Sequence, residues 1–576
     1  MCELDSLPSI TELTKAFDSL ASGKAPGKKT AIPQRSSKPA KTPICFNTFH
    51  ELLCQCWEEG TAPQDMRDAN TITLYKNKGD RGDCNNYRRI SLLSIVGKAF
   101  AHVIPSRLQL LASRIYPESH CGFRKSRSTI DMIFSIRQLK KKSREQNMPL
   151  YMAFIDLTKA FDFLSRKGGH FLLLQKIGCP PKLLIIIKSF HDDMQVTTQR
   201  NGSTSIAFQI KNRVKQGCIF APTLFGIFSL LLSNAFETSE DGMFLNSRND
   251  GQLFNLLRLR ANTKIRSILI KEMLFADDAA LVSHTEALQR LINYFEQACS
   301  DFGLVISLKK TNIMDQTTSD IPGIHTGDHR LQERKRFTYL GSTVTYNLSL
   351  DTELNIRIAK ATAVMAELSK RAWDNNKLNK TTNMKIYQSC ILSTLRYGSE
   401  IWTPYTRQEP RLNIFHLRCL RKILGIKWHN RVPKKDVLKQ VGIPSMFALR
   451  TQRRMRWLGH VNRMEVDRIT KDILYGELAR GTRSVGRPLL PCKDVCKRDM
   501  KACDISIRNW EEVASNRGDW RRTIEEGGQR SDRGREEKWK DKKRRQQETM
   551  TSQPARQSLR YICIGLRIHS RRCIRT

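Results

Sequence analysis

The sequence is short of acid. Only 56 Asp and Glu stand against 98 Lys and Arg, giving a formal net charge of +42 and an isoelectric point near 10.0. The excess runs from the first linker to the last residue, and 40% of residues are hydrophobic. A lone basic tail is therefore excluded as its source; a folded body carries the charge and favours polyanionic partners. Long apolar runs are missing too. The longest, Ile219–Leu232, contains Pro222 and falls short of the roughly 20 residues that span a bilayer, so it reads as a buried helix and membrane function is not expected. No signal peptide precedes the 16 cysteines, which follow no repeating framework. That excludes a disulfide-stapled secreted scaffold and points to reduced thiols in an intracellular protein, nuclear or cytoplasmic. Near the C-terminus, Cys563, His569 and Cys573 lack a CxxC pair, which weighs against a zinc site.

What is present divides along the chain. At 576 residues there is room for three or four domains. Residues 8–20 have helical spacing, and the Gly-, Pro- and Lys-rich stretch 23–43 reads as a linker or flexible basic loop. From Phe46 to Val96 the pattern predicts a helix, a strand over Thr71–Tyr75, a polar turn and a second strand-like run from Ile90. Residues 150–162 (LYMAFIDLTKAFD) begin as a buried strand ending at Asp156 and then turn towards a helix. Residues 268–283 (ILIKEMLFADDAALVS) read as a β-hairpin with Asp277 and Asp278 at its tip, a helix start being the alternative. From 351 to about 480 the period is helical: Leu354, Ile358, Met365 and Leu368 share one face, with Arg357, Lys360 and Arg371 off it, and Leu417, Leu420 and Leu424 form a second stripe. Residues 450–463 add a dense basic segment. After Asn509 the chain is charged and poor in apolar residues, and disorder is expected. Within it, 540–547 is basic enough to serve as a nuclear import signal.

The chemistry centres on three aspartates. Nucleotide addition needs a deprotonated 3′-hydroxyl, a stabilised α-phosphate and a neutralised pyrophosphate, and two magnesium ions can supply all three. Mg²⁺ takes one or two hard carboxylates beside water and phosphate, a demand that Asp156, Asp277 and Asp278 on adjacent strands can meet. Alone, an Asp-Asp pair is more often a solvated turn.

Their surroundings narrow the reading. In order come TITLYKNKGDRGDCNNYRRISLLS (71–94), CGFRKSRSTIDMI (121–133), FIDLTKAFD (154–162), VKQGCIFAPTLFGIF (214–228), FADD (275–278), FGLVISLKKTNIM (302–314) and FTYLGS (337–342). LRYGSEIW (395–402), RWLGHVNRM (456–464) and GRPLLPCKDVCKRDM (486–500) follow. This colinear series resembles the non-LTR (LINE-type) retrotransposon reverse transcriptases over roughly residues 8 to 521.

The resemblance implies an α+β right-hand polymerase: an N-terminal helix and basic linker (1–45), fingers (46–149), palm (150–335), primer grip and helical thumb (336–430), a basic helical region (431–520) and a disordered basic tail (521–576). It implies an RNA-directed DNA polymerase that takes an RNA template, a DNA primer and dNTPs and uses two Mg²⁺ ions, with Mn²⁺ as an alternative. Asp156 and Asp277 would hold the metals, with Asp278 less directly bound, and Lys310 beside Lys309 would be the general acid for pyrophosphate. Lys76 and Arg88 would hold the triphosphate, as a point charge and a fork respectively. Phe161 would exclude a ribose 2′-hydroxyl, and Gln216 and Gly217 would approach the nascent base pair. Arg124 and Arg127 would meet template or primer, and Phe337, Tyr339, Leu340 and Gly341 would hold the primer end. The chain departs from the pattern at Arg89, His120 and Arg213, each expected to add bulk or charge beside nucleotide or template. An impaired copy that only binds nucleic acid is the competing reading. The segment before Gly23 is too short for an endonuclease, so nicking of DNA is not expected.

Overall fold

A computed structural model of the chain describes residues 4–20, 43–77, 79–158, 171–200, 202–209, 219–248, 250, 252–260, 263–284, 287–316, 323–483 and 492–551. It divides into two compact units. One comprises Met1–Ser349 with Glu465–Arg487, the other Leu350–Met464 with Pro488–Thr576.

The first unit holds two five-stranded sheets. In one, the strand Ala69–Tyr75 pairs antiparallel with Tyr87–Leu93 and parallel with Gln195–Arg200, which is the strand, polar turn and strand expected around Lys76. The other is built round Tyr151–Asp156. Its first five residues are buried on both faces, as a continuous apolar run in a sheet centre should be. Asp278–Ser283 lies on one side and Asn312–Asp315 on the other, with Glu272–Phe275 beyond the former. Helix Leu288–Asp301 covers this sheet, burying Leu288, Leu291, Ile292, Phe295 and Cys299 at helical spacing. Ile219–Leu232 is a helix as expected, the element running Ala221–Asn234.

The first helix, Ile10–Ser19, starts where Ser9 and Glu12 close a capping box. A strap, Glu465–Arg487, which interrupts the second unit in the chain, belongs to the first. After its helix Ile469–Tyr475, its strand Glu477–Leu478 pairs antiparallel with Met243–Ser247, and Lys142 Nζ donates to the Gly476 carbonyl at 2.6 Å.

The second unit is helical: Asp351–Glu367, Glu409–Leu424, Met446–Asn462, Cys492–Ala502 and Arg517–Thr551 are its longest elements. Two expectations fail here. Of the charges off the first apolar stripe, Lys360 and Arg371 are exposed, but Arg357 is interior, as are two arginines of the basic segment. Arg357 is buried, bonded to buried Glu353 at 2.8 Å and lying over the Tyr397 ring. In the dense basic segment, Arg450 reaches Glu409 at 2.6 Å and Arg454 clasps Asp499. These arginines neutralise internal carboxylates and are not offered to a polyanion. Disorder after Asn509 is also overturned as far as Thr551. Arg517–Thr551 is one helix, because Trp520 and Ile524 are fully buried and Trp520 Nε1 donates to the Met455 carbonyl at 2.9 Å. Two apolar anchors are too few to lift a composition average yet enough to seat a helix. Residues 552–576, with Cys563, His569 and Cys573, lie outside the described residues.

Candidate active site

The three aspartates meet because of strand register. Asp278 is paired with Asp156 across antiparallel strands, and directly opposed residues of such a pair project to the same face. Asp277 sits one residue earlier in the two-residue turn of the hairpin, beside Ala276, whose φ is +54°. Hairpin and tip are therefore as expected. The opposition of Asp278 to Asp156 is not visible in the sequence of either strand.

Electrostatics couple the trio through repulsion. Partial burial, then Asp277 and Asp156, push the Asp278 carboxyl up to about 6. Burial likewise raises Asp277, with Asp156 adding to it. Mutual repulsion of carboxylates held out of water has this signature. Lys310 answers part of it: its Nζ donates to Asp156 Oδ1 at 2.7 Å, with the side chain 57% exposed. Of the two adjacent lysines, this bond singles out Lys310.

Among the described residues no group of three or more His, Cys, Asp or Glu converges tightly enough to chelate an ion alone. The donor chemistry nevertheless fits Mg²⁺: hard oxygens, too few for a closed cage, with a repulsion that a cation relieves.

A second hairpin lies against the same sheet. Arg336–Tyr339 pairs with Ser342–Thr345 through Leu340 and Gly341, both at positive φ, a two-residue turn that suits the twist of its strands. Phe337 stacks on Phe154 at 4.6 Å between ring centres, and the buried Tyr339 ring lies 5.4 Å from Phe154. Helix Thr129–Glu145 holds the returning strand with one face of basic residues. Arg137 donates to the Thr343 carbonyl (2.8 Å), Lys140 to Thr345 (3.0 Å) and Arg144 to Asn347 (2.9 Å). Lys140 has no exposed surface, and burial brings its ammonium down to about 7.

Other anticipated residues scatter. Lys76 and Arg88 are exposed at neighbouring positions of the first sheet, Lys76 Nζ donating to the Asn85 carbonyl at 2.8 Å. Arg124 and Arg127 are committed internally: Arg124 donates to the carbonyls of Pro117 (2.7 Å) and His120 (3.0 Å), and Arg127, its side chain 6% exposed, forks onto Glu118. Both residues are half-buried. His120 is wholly buried with both ring nitrogens unpartnered, and burial with two nearby arginines drives it down to about 3. Of the bulk or charge expected at these departures, His120 supplies bulk inside the fold, whereas Arg89 is exposed. Phe161, Arg213, Gln216 and Gly217 lie outside the described residues.

Residues 75–344 match the family described as reverse transcriptase (RNA-dependent DNA polymerase). The chain is similar to the RNA-directed DNA polymerase from mobile element jockey of Drosophila melanogaster, 24% identical over 396 residues that cover 67% of this chain and 40% of that protein. The jockey polymerase of Drosophila funebris gives 24% over 406 residues, with the same two shares. The chain thus spans about two fifths of the length of these curated relatives. Among solved structures, telomerase from Candida albicans with a fragment of telomeric RNA gives a TM-score of 0.34 at 11% identity, covering 69% of this chain and 66% of that one, a likeness too remote to argue from.

Proposed function

We propose that this chain, whose residues 75–344 form a reverse transcriptase domain homologous to those of LINE-type (non-LTR) retrotransposons, extends a DNA primer on an RNA template by two-metal nucleotidyl transfer. The observation that carries the reading is the register that sets Asp278 opposite Asp156, with Asp277 in the adjoining turn and Lys310 on Asp156. In this reading residues 46–149 act as fingers, 150–335 as palm, and the chain from 336 as primer grip and thumb, in a right-hand arrangement.

Asp156, Asp277 and Asp278 would hold Mg²⁺, which supplies charge for the attacking oxygen, the α-phosphate and the departing pyrophosphate. The chain's own groups do the rest. The hairpin through Phe337 and Tyr339, fixed by Arg137 and Lys140, presents the primer end to the carboxylate face. Lys76 and Arg88 steady the triphosphate from the first sheet. Lys310, its side chain exposed and oriented by Asp156, gives a proton to the leaving pyrophosphate. Phe161, Gln216 and Gly217 keep the sugar-gating and base-pair roles that the family resemblance implies.

Primer extension on poly(rA)·oligo(dT) with labelled dTTP and Mg²⁺ tests this. The parent extends and Asp277→Asn does not, while both bind primer–template with the same steep, log-linear loss of affinity as salt rises, because the phosphate-neutralising lysines and arginines are untouched. Extension by Asp277→Asn at the parental rate would remove that carboxylate from the site. Salt-sensitive binding without extension by either protein favours the impaired copy.

A further inference from the structure

The catalytic turn is backed by a loop that nothing above assigns a role. Residues 119–121 add to the outer edge of the strand Glu272–Phe275: Leu274 N–H donates to the Ser119 carbonyl and Cys121 N–H to the Leu274 carbonyl, each at 2.9 Å. One residue on, the chain passes so close to the hairpin tip that a Cβ on Gly122 would stand 2.5 Å from the Ala276 nitrogen. Only glycine allows that approach, and Ala276 is the left-handed residue that turns the chain into Asp277.

This loop does not hold its shape by local preference. Phe123 and Ser126 both have positive φ, +57° and +59°, conformations that side-chain-bearing residues keep only when their surroundings impose them. Three arginines impose them here. Arg124 staples the Pro117 and His120 carbonyls. Arg127 forks onto Glu118. The third comes from the strap: Arg468, its side chain 8% exposed, lies 3.2 Å from Glu118 and donates to the Ser126 carbonyl at 3.2 Å. The strap is itself anchored, since Asp472, four residues on, accepts from Ser247 at 2.9 Å and from Arg266 at 2.8 Å.

We propose that Arg468 is a positioning residue for the catalytic carboxylates, acting through Glu118 and the 119–126 loop on the turn Ala276–Asp277. It touches neither substrate nor metal. It locks the loop whose Gly122 fixes where the turn lies, and so where Asp277 and Asp278 point. The inference rests on the reading of those carboxylates as metal ligands, and its test separates the two.

Mn²⁺ binding to the full chain, followed by electron paramagnetic resonance of the free ion, is the direct measurement, with primer extension and thermal melting alongside. Loss of a group that orients metal ligands from behind weakens metal binding by roughly 10-fold or more. Arg468→Gln is therefore expected to bind Mn²⁺ about 10-fold more weakly, to need correspondingly more Mg²⁺ for half-maximal extension, and to keep its KM for primer–template and its melting temperature. Arg468→Lys, which retains charge but loses the fork, should fall between parent and Gln variant, and it decides the matter should the Gln variant not fold. Parental Mn²⁺ affinity in a folded Arg468→Gln, or in Arg468→Lys when that is the folded variant, overturns the proposal. So does a lower melting temperature with an unchanged metal response, which is what a merely structural arginine would give. A parent that binds Mn²⁺ but does not extend primers defeats the polymerase reading alone, and the Arg468 comparison is still read from the metal titration.

Discussion

Removing one charge from the carboxylate cluster should make the metal-free protein more stable. Asp278 has its carboxyl raised from the ordinary 3.8 to about 6 by burial and by Asp277 and Asp156. That rise corresponds to about 3 kcal/mol against the ionised form, and partial exposure to water reduces it to roughly 1.5 kcal/mol. The folded state therefore carries this cost in full above pH 6. It is shed as pH falls through about 6 towards 3.8, because there the folded carboxyl holds a proton that the unfolded one has lost. Asp278→Asn removes the charge at nearly constant size. In EDTA at pH 7.5 the variant should resist urea by about 1.5 kcal/mol more than the parent; the gain should be smaller at pH 5 and absent near pH 4. Mg²⁺ should shrink the gain by neutralising the parent's repulsion. Because the chain has two units, the transition to follow is that of the first, through an intrinsic probe within residues 1–349. A pH-independent gain, or no gain in EDTA, would refute the electrostatic account of the cluster.

Phe161→Ala should admit ribonucleotides, read as the ratio of dTTP to UTP incorporation; an unchanged ratio would make the ring ordinary packing. Lys310→Gln should lower the maximal rate more than it raises KM for dTTP, as loss of a proton donor to the leaving pyrophosphate requires; a change in KM alone would refute that role. Trp520→Ala should destabilise the second unit by about 3–5 kcal/mol and lower helical circular dichroism as the C-terminal helix detaches from Met455; an unaltered spectrum would mean that the helix forms without that anchor.

The elements that carry the carboxylates were legible because each is declared locally. LYMAFID reads as a buried strand, and two apolar runs around an Asp-Asp tip favour a hairpin over a helix start. Register is a different matter. That Asp278 faces Asp156 depends on how two segments 122 positions apart in the chain align, and no periodicity within either reveals it. Basic side chains misled for a related reason. Arg127, Arg357, Arg450 and Arg454 look like a polyanion surface in a chain of this charge, but each has a carboxylate partner that only the fold brings near. Trp520 and Ile524 were hidden by their neighbours, since an average over a charged stretch cannot register two buried side chains. Glu118 and Arg468 left no sequence signal at all; the family resemblance at CGFRKSRSTIDMI pointed to its arginines as nucleic-acid contacts and passed over the acid that holds one of them.

The strap also sets a clock. Arg468 and the Ser126 carbonyl it meets are 342 residues apart in the chain. At the pace of synthesis, roughly 5–20 residues per second, the arginine leaves the ribosome on the order of 20–70 s after the loop it secures. In the later part of that interval, once Asp278 has followed the loop out, a nascent chain already contains Asp156, Asp277 and Asp278, the hairpin that turns them and the loop behind the hairpin, while Glu118 has Arg127 alone. A product interrupted anywhere between Ser349 and Arg468 stays in that condition permanently: complete in its chemical groups, and lacking the side chain that comes last.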